Sequence, residues 1–379
     1  MRVLIDYRAA LSRPSGVGEY ARQLASGLTT LDVDGHERVD VTLFSSSWKD
    51  RLTVPDELNG VRAIDQHIPV AVLNFAWHRL GWPPAETLTD GVFDVAHSLH
   101  PLLLPSRSAA QVVTVHDLNF LDHPERTRAE VRRDYRALAG SHAARADRVM
   151  VPSKFTAGEV ERKLRVPASK ISVCSPGAPA WTPRTAEPAD GYILFLGTLE
   201  PRKNVGTLLD AYERLLAAAE TGRVPNLVLA GGTTEASGPW LERIARAPLA
   251  GRVTHLGYVD PADRKSIYEG ALMLVQPSYE EGFGLPPLEA MTLGVPVVGA
   301  NRGAVPEVVG DAGLLVDPDD AEAMATAMRR FFDEPDLRAA SAGAGPSRAR
   351  LFTTKTMAER AREAYALAIE HRASMGPLT

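Results

Sequence analysis

Short apolar runs recur along the first half of the chain, and each is followed by polar or helical sequence. Runs of four or five apolar residues are typical of buried strands in a parallel sheet. Between them lie loops and helical patterns such as the one near Tyr20–Leu28. The alternation predicts a parallel sheet wound with helices, with strands at Arg2–Ile5, Asp40–Phe44, Phe93–His97, Gln111–Val115 and Arg148–Val151.

The same pattern resumes after a proline-rich connection that begins at Ser175 and runs through Pro183 and Pro188. We predict helices at Val205–Ala219, Ala321–Phe332 and Thr354–Ala373. The chain is therefore expected to form two doubly wound α/β domains, residues 1–178 and 185–354. The second has predicted strands at Tyr192–Leu196, Leu227–Ala230, Val253–Leu256, Leu272–Val275, Val295–Val298 and Leu314–Val316.

Composition narrows the class of protein. The 379 residues are 45% apolar and 23% charged, which suits folded domains. A net charge of −5 argues against a general nucleic-acid-binding protein. The single cysteine, Cys174, excludes an internal disulfide and fits a reducing compartment. We expect neither a signal peptide nor a membrane span, and we predict a cytoplasmic protein, at most peripherally attached to the inner face of a membrane.

The most informative stretch is Ser278–Glu289, which lies between a predicted strand and a predicted helix. Gly282 and Gly284 let the backbone approach a ligand closely. Glu281 precedes these glycines, and Glu289 follows after seven intervening residues, one turn into the helix. Carboxylates bind hydroxyls and free helix-terminal amides bind oxyanions, and a nucleotide sugar offers both groups. The alternative is an ordinary strand–turn–helix corner.

Two further stretches place polar groups at strand ends. Arg202 and Lys203 stand before a predicted helix that Asn204 could cap, and two cations beside a helix N-terminus suit a diphosphate. A basic pair in a loop is otherwise usually solvated. Near the N-terminus, a glycine-rich turn over residues 15–19 indicates either phosphate or sugar contact or a simple tight turn. His116 follows a predicted strand at the edge where parallel sheets bind ligands.

The two glutamates and their spacing resemble the signature of the retaining GT-B glycosyltransferases of family 4. The resemblance covers nearly the whole chain and is most specific over residues 192–310. It implies two Rossmann-like domains that face each other across a cleft, the second holding most of the donor and the first most of the acceptor. A closing helix, about 355–379, would pack back on the first domain.

The resemblance also assigns roles to residues. It places Glu281 near the transferred sugar, Glu289 on the donor ribose and His116 on sugar hydroxyls. Arg202 and Lys203 would stabilise the leaving diphosphate, so the catalytic candidates are these two cations with His116 and Glu281. Thr198 stands where many members carry arginine, so one phosphate contact would be either weaker or supplied by Arg202. With Glu289, the donor-binding candidates are Gly16, Gly18, Gly197, Thr198, Val259, Gly282, Phe283, Gly284 and Leu285.

The reaction implied is transfer of a hexose from a nucleotide diphosphate sugar to a hydroxyl of a glycan, a lipid-linked or a small-molecule acceptor, with retained configuration. The resemblance implies that no metal or other cofactor is needed, because GT-B members generally need no divalent metal. The spacing Asp317-Pro318-Asp319 is interpreted as a turn and Asp320 as a helix cap. The segment Gly197–Asn204 resembles bacterial mannosyltransferases that build surface polysaccharides, which favours GDP-mannose over UDP-hexoses. The alternatives are a GT-B phosphorylase, a nucleotide-sugar epimerase and a non-enzymatic sugar-nucleotide sensor or scaffold.

Two surface features leave a membrane interpretation open. Phe75, Trp77 and Trp82 stand among apolar residues, and seven arginines lie within Glu125–Arg148. Together they could dock on anionic lipid. Core packing of the aromatic residues and a solvated helix for the arginines are the alternatives.

Overall fold

A computed structural model describes residues 1–11, 16–31, 38–124, 129–218 and 224–375, with the side chains of 129–132 left aside. The chain divides into two compact units. The first unit comprises Met1–Gly177 and Thr353–Thr379, and the second comprises Ala178–Phe352. Residue 15 of the glycine-rich turn lies outside the described residues, as do residues 125–128 of the arginine-rich stretch.

The first unit is built on a parallel seven-stranded sheet of order β3-β2-β1-β4-β5-β6-β7. The chain runs outward from β1 through β2 to β3, then returns to the other side of β1 and continues from β4 to β7. The order therefore reverses between β1 and β4, which is the topological switch point of this sheet. The strands are β1 Arg2–Asp6, β2 Asp40–Ser46, β3 Arg62–Gln66, β4 Val95–Ser98, β5 Ala110–Thr114, β6 Arg148–Val151 and β7 Ile171–Val173.

Helices cover the sheet of the first unit. A π-helical turn, Ala76–Leu80, directly follows α2, and 3-10 turns lie at Arg8–Ala10, Asp56–Leu58 and Ala168–Lys170. The helices are α1 Gly16–Thr30, α2 Val70–Phe75, α3 Ala85–Thr89, α4 Asn119–Asp122, α5 Ala129–Arg145 and α6 Lys154–Leu164, with α14 Thr354–Ser374 added from the end of the chain.

The last helix, α14, belongs to the core of the first unit. Its alanine-rich buried face includes Met357 and Tyr365 and packs in one apolar cluster with residues of α1 and β1. Its Tyr365 hydroxyl contacts Nδ1 of buried His97 at 2.8 Å, and Nε2 of His97 contacts Oγ1 of Thr114, also at 2.8 Å. Burial and the neighbouring His116 lower the pKa of His97 to about 3, so the ring is neutral at pH 7. Polar bonds and apolar packing together fix α14 on this sheet.

The second unit is built on a parallel six-stranded sheet of order β10-β9-β8-β11-β12-β13. Its strand order reverses between β8 and β11, as that of the first unit reverses between β1 and β4. Three predicted strands, those at residues 192–196, 227–230 and 314–316, have the predicted bounds. The six strands are β8 Tyr192–Leu196, β9 Leu227–Ala230, β10 Val253–Gly257, β11 Ala271–Gln276, β12 Val297–Ala300 and β13 Leu314–Val316.

Seven helices of the second unit lie within the described residues. Asp320 caps α12 by accepting hydrogen bonds from two backbone amides, as predicted. The 3-10 turns are Pro201–Lys203, Glu235–Ser237 and Gly310–Ala312. The helices are α7 Val205–Ala217, α8 Gly238–Ile244, α9 Pro261–Glu269, α10 Leu285–Thr292, α11 Val305–Val309, α12 Ala321–Asp333 and α13 Pro335–Ala349.

The two ends of the second unit are joined to each other. The backbone N–H of Ala178 donates to the carbonyl of Phe352 over 2.9 Å. In the first unit, Gly177 lies so close to the start of α14 that a Cβ would come within 2.4 Å of the Thr354 nitrogen. Any larger residue would push the two segments apart, so a glycine is required there.

Candidate active site

The loop after β8 brings two cations to the switch point of the second unit. A 3-10 turn, Pro201–Lys203, carries the cations, and α7 starts two residues later. The intervening Asn204 has left-handed backbone angles (φ 58°, ψ 39°), which asparagine tolerates. The predicted side-chain cap is wrong, because the Asn204 side chain does not bond to α7. Its amide donates instead to the carbonyls of Pro277 (3.1 Å) and Pro318 (2.7 Å), and so ties three loops together.

The loop after β11 brings Glu281 to the same place. Backbone bonds fix it on two sides: Tyr279 N–H donates to the carbonyl of Arg202 (2.8 Å), and Ala304 N–H donates to the carbonyl of Glu281 (3.1 Å). Strands β8 and β11 are neighbours, so their carboxyl ends meet at one edge. The structure therefore brings Arg202, Lys203 and Glu281 together, although 77 residues lie between Lys203 and Glu281 in the sequence.

The two carboxylate oxygens of Glu281 have unequal surroundings. Oε1 accepts from Lys203 Nζ (2.6 Å), Ser278 Oγ (2.7 Å) and Gln276 Nε2 (2.9 Å). Oε2 faces Arg202 Nη1 at the longer distance of 3.4 Å. A carboxylate oxygen has two lone pairs, so Oε1 is saturated while Oε2 retains capacity for a further donor.

Charge in this network is balanced by close pairing. Burial alone would raise the pKa of Glu281, which is 7% exposed, but Lys203 and Arg202 lower it to about 2. Burial and the adjacent Arg202 lower the pKa of Lys203, and Glu281 opposes that shift. Arg202 also contacts Glu200 through Nε at 2.8 Å and is 24% exposed. Glu281 is therefore ionised at pH 7, and the more exposed Arg202 can turn toward a ligand.

Glu289 has other partners. It is buried in the second turn of α10, where one carboxylate oxygen contacts Arg264 and the other accepts from the Tyr268 hydroxyl at 2.7 Å. Burial, with the Glu289 carboxylate beside it, raises the pKa of Tyr268 well above its usual value. Sequence reasoning did not single out Arg264 and Tyr268, which lie on α9 with no local motif to mark them.

The other predicted donor-binding residues of the second unit occupy varied positions. Gly284 precedes α10 with φ +115°, a conformation that L side chains rarely adopt. The Phe283 ring is buried edge-on to Phe352, at 5.5 Å between centroids, so its side chain serves the core. Gly197 donates from its amide to Ala230, and Thr198 is exposed beside it. Gly282 and Leu285 are half-buried, and half-buried Val259 packs on an apolar cluster.

In the first unit, His116 stands at the end of β5. Its Nε2 must carry the proton, because it donates to the Leu99 carbonyl (3.2 Å). Burial lowers the pKa of His116 to about 4, although Asp117 opposes the shift. A neutral ring protonated at Nε2 has an acceptor at Nδ1, which suits a hydroxyl donor. Gly16 and Gly18 lie in the first turn of α1, so the predicted loop there is wrong: the helix begins four residues before Tyr20.

Sequence reasoning missed a polar cluster at the switch point of the first unit. Asp6 is the last residue of β1. Its carboxylate accepts hydrogen bonds from Arg8 Nε at 2.8 Å and from Arg8 Nη2 at 2.6 Å. The ring of His100, which follows β4, lies 3.4 Å from the same carboxylate. His78 lies edge-on to His100, at 5.3 Å between centroids. The only sequence signal was an aspartate directly after an apolar strand.

No group of three or more His, Cys, Asp or Glu side chains that could hold a metal ion occurs among the described residues. In the same part of the chain, no helix has both the length and the apolar character needed to cross a bilayer. The groups at these strand ends are paired charges, helix-terminal amides and neutral imidazoles. Cations and amides of this kind can bind phosphates, and carboxylates and neutral imidazoles can bind hydroxyls.

Two family models match this chain. Glycosyltransferase Family 4 matches residues 14–180, and Glycosyl transferases group 1 matches residues 182–348. O-antigen chain mannosyltransferase B of Escherichia coli is 34% identical over 277 residues, which cover 70% of this chain and 72% of that protein. The chain belongs to the GT-B glycosyltransferases of the family 4 group. It is thus an enzyme that transfers glycosyl groups.

Other relatives of this glycosyltransferase have different names. The D-inositol 3-phosphate glycosyltransferase of Rhodococcus opacus is 30% identical over 251 residues, 62% of this chain and 56% of that protein. Sucrose-phosphate synthase of Thermosynechococcus elongatus shares the fold, with a TM-score of 0.74, 21% identity and coverage of 96% of this chain and 98% of that one. The structure of Anabaena HepE in complex with UDP and glucose has a TM-score of 0.69 at 18% identity, covering 97% and 99% of the two chains. These structures confirm the predicted GT-B fold class.

Proposed function

We propose that this glycosyltransferase moves a hexose, with mannose favoured, from a nucleotide diphosphate sugar to an acceptor hydroxyl. In this proposal the anomeric configuration is retained and no divalent metal is needed. The observation that carries it is the contact of buried Lys203 and Glu281 with half-buried Arg202 beside the start of α7. It offers cations and helix amides to a diphosphate directly beside a carboxylate that suits a sugar hydroxyl.

Within that proposal the parts have distinct tasks. Negative charge grows on the nucleotide diphosphate as its bond to the sugar breaks, and Lys203, Arg202 and the first amides of α7 stabilise it. Glu281 accepts a hydrogen bond from a sugar hydroxyl through Oε2, the oxygen that can still accept a further hydrogen bond. Glu289 holds the ribose hydroxyls, in exchange for or in addition to Tyr268. His116 accepts a hydrogen bond from a further sugar hydroxyl at Nδ1.

Mannose is favoured by the relatives that are named mannosyltransferases, whereas Anabaena HepE was crystallised with UDP and glucose. The experiment is therefore a comparison of GDP-mannose with UDP-hexoses, with and without EDTA, followed by NMR of the product anomer. Turnover of GDP-mannose to an α-linked product in EDTA is expected. Phosphorolysis with inorganic phosphate, epimerised donor without acceptor, an inverted product or loss of activity with EDTA would each overturn the corresponding part.

We also propose peripheral contact with the cytoplasmic face of a membrane, through a surface that differs from the predicted one. Trp77 is only 1% exposed and donates its indole N–H to the Pro83 carbonyl, so its place on that surface was wrong. The apolar residues around it are exposed, and Arg79 joins this segment to α5 through Asp134 (2.9 Å). Exposed Arg133 and Arg136 lie on the same helix. The apolar surface consists of Val72, Phe75, Leu80 and Trp82.

A further inference from the structure

Both sheets reverse their strand order, and polar side chains gather at each reversal. In the second unit the place is the edge of β8 and β11, where Lys203 meets Glu281. In the first unit it is the edge of β1 and β4, where Asp6 meets His100. Ligands of open α/β sheets bind outside the carboxyl ends of the strands at such a point. The cluster of Asp6, Arg8, His78 and His100 is therefore in the position of a binding site.

The contacts within this cluster use up its charges. Arg8 makes a two-pronged ion pair with Asp6, donates to Asn74 Oδ1 (2.7 Å) and lies over the Trp77 ring, 4.9 Å from its centroid. Its side chain is 9% exposed, in contrast to the more open Arg202. Burial opposes ionisation of Asp6, but Arg8 and His100 hold the pKa of that carboxyl well below its usual range. One buried anion and one buried cation cancel, so Arg8 is already paired with Asp6 and does not offer its charge to a phosphate.

His78 supplies the polar groups that the ion pair does not. The residue is 6% exposed, and neither ring nitrogen has a hydrogen-bond partner within the described ranges. Burial, with His100 and Arg8 nearby, lowers the pKa of His78 to about 2, so the ring is neutral. A neutral imidazole has one donor and one acceptor. Buried polar atoms are normally paired in proteins, and a hydroxyl, which both donates and accepts, satisfies either nitrogen.

We propose that Asp6, Arg8, His78 and His100 form the acceptor subsite, and that it takes an uncharged, hydroxyl-bearing sugar ring. The inference rests on the proposed glycosyl transfer and adds the class of acceptor. His100 is the more open member of the cluster, with 19% of its side chain exposed, and its ring stacks on Tyr135 with 5.8 Å between centroids. A phosphate-bearing ring would find an ion pair already closed and a neutral imidazole.

The direct test is NMR of the histidine rings in the full chain labelled with ¹⁵N-histidine. The chain has ten histidines, and the His78→Gln variant assigns the signal of His78. Methyl α-mannoside, methyl α-glucoside and methyl α-galactoside are titrated to about 50 mM, alongside inositol phosphate and inorganic phosphate. We expect a saturable shift of the His78 ring nitrogens with at least one neutral glycoside. No shift with all three, or tighter binding of either phosphate, would overturn the inference.

Kinetics supply a second readout. With the glycoside that binds, His78→Gln should raise the acceptor KM by about tenfold or more. The matched control is His67→Gln, since His67 is an exposed histidine of the same unit, and it should leave the acceptor KM unchanged. An unchanged acceptor KM in a folded His78→Gln variant contradicts the subsite. Failure of the wild-type chain to bind nucleotide diphosphates or consume any donor contradicts the proposed function instead, so the two failures are distinguishable.

Discussion

Gln276, the last residue of β11, donates from Nε2 to Oε1 of Glu281 over 2.9 Å. The carboxylate only accepts, so the side-chain amide must present its nitrogen to Glu281. The same nitrogen contacts Ser278 Oγ at 2.8 Å, and that hydroxyl donates to Oε1 as well. Both side chains are fully buried. Strand β11 thus orients the carboxylate that the following loop carries.

This arrangement predicts that Gln276→Leu lowers kcat and changes the donor KM little. The variant removes a hydrogen bond that orients Glu281, worth about 1.5–3 kcal/mol for a bond to a charged group, and leaves Lys203 and Arg202 of the proposed diphosphate site in place. The measurement is steady-state kinetics over a donor series. Gln276→Glu serves as the charged comparison and should lower kcat further, because it places a second carboxylate beside that of Glu281. Equal kcat in wild type and both variants would contradict the orienting role.

Lys203→Ala is expected to weaken binding of the donor and of the free nucleotide diphosphate alike. Loss of a charge-assisted hydrogen bond is worth roughly 1.5–3 kcal/mol, and the more distant Arg202 is then the remaining cation in contact with Glu281 within the described residues. Calorimetric titration with GDP and UDP measures the effect. Lys265→Ala is the control, since that partly exposed lysine pairs with Glu269 on α9. Unchanged nucleotide affinity in Lys203→Ala would mean that the loop does not hold the phosphates.

The two glutamates should separate kinetically. Ribose hydroxyls do not change during the reaction, so Glu289→Gln should chiefly raise the donor KM. Charge at the sugar grows only as its bond breaks, so Glu281→Gln should lower kcat by on the order of 10²-fold or more. Steady-state kinetics of the pair decide the assignment. The opposite pattern, with kcat lost at Glu289 and KM raised at Glu281, would reverse the roles.

The pKa of Glu281 predicts how stability depends on pH. Its value falls from 4.5 to about 2 on folding, so its ionised form stabilises the native state above about pH 4.5, and that contribution is lost as pH falls toward 2. The shift corresponds to on the order of 3 kcal/mol. Glu281→Gln should therefore flatten the decline of the unfolding free energy between these pH values, measured by urea titration. An unchanged slope would show that Lys203 and Arg202 do not stabilise the ionised carboxylate.

Phe75→Ala with Trp82→Ala should abolish binding to anionic vesicles in co-sedimentation. Apolar insertion and arginine attraction act together at such a surface, so binding should also fall with added salt. Trp48→Ala is a matched control, because Trp48 is a 73% exposed tryptophan of the same unit outside the proposed surface. Equal binding to neutral vesicles, or none by the wild-type chain, would remove the membrane proposal.

The strands that are continuous apolar runs were readable from the sequence, and the strands that polar residues interrupt were not. Strands β8 and β9 are continuous apolar runs, and their bounds were predicted. Strands β3 and β7 were not predicted because polar residues interrupt them, Arg62, Asp65 and Gln66 in β3 and Ser172 in β7, so neither is a continuous apolar run. Helix α13 was missed because its small residues and internal Pro346 give little helical periodicity.

The candidate site shows the same division. Glu281, Glu289, Arg202 and Lys203 belong to local motifs with defined spacing, so sequence reasoning found them. The cluster around His78 is assembled from segments up to 94 residues apart, from Asp6 to His100. Its members do not form a local motif with a defined spacing. A lone histidine or an Asp-x-Arg sequence indicates no site until the sheet brings the strand ends together.

The hydrogen bond between Ala178 and Phe352 has a practical meaning for protein engineering. Both junctions of the second unit meet at one backbone pair, so a gene segment for residues 178–352 is a natural exchange cassette. Grafting it between relatives would transplant the whole second unit while the host keeps its own α14. A single crossover at residue 177 would instead pack an α14 from the other relative against the α1 of the host. The contact between His97 and Tyr365 would then depend on which residue that relative has at position 365. Chimaeras of this enzyme should therefore be made with two crossovers.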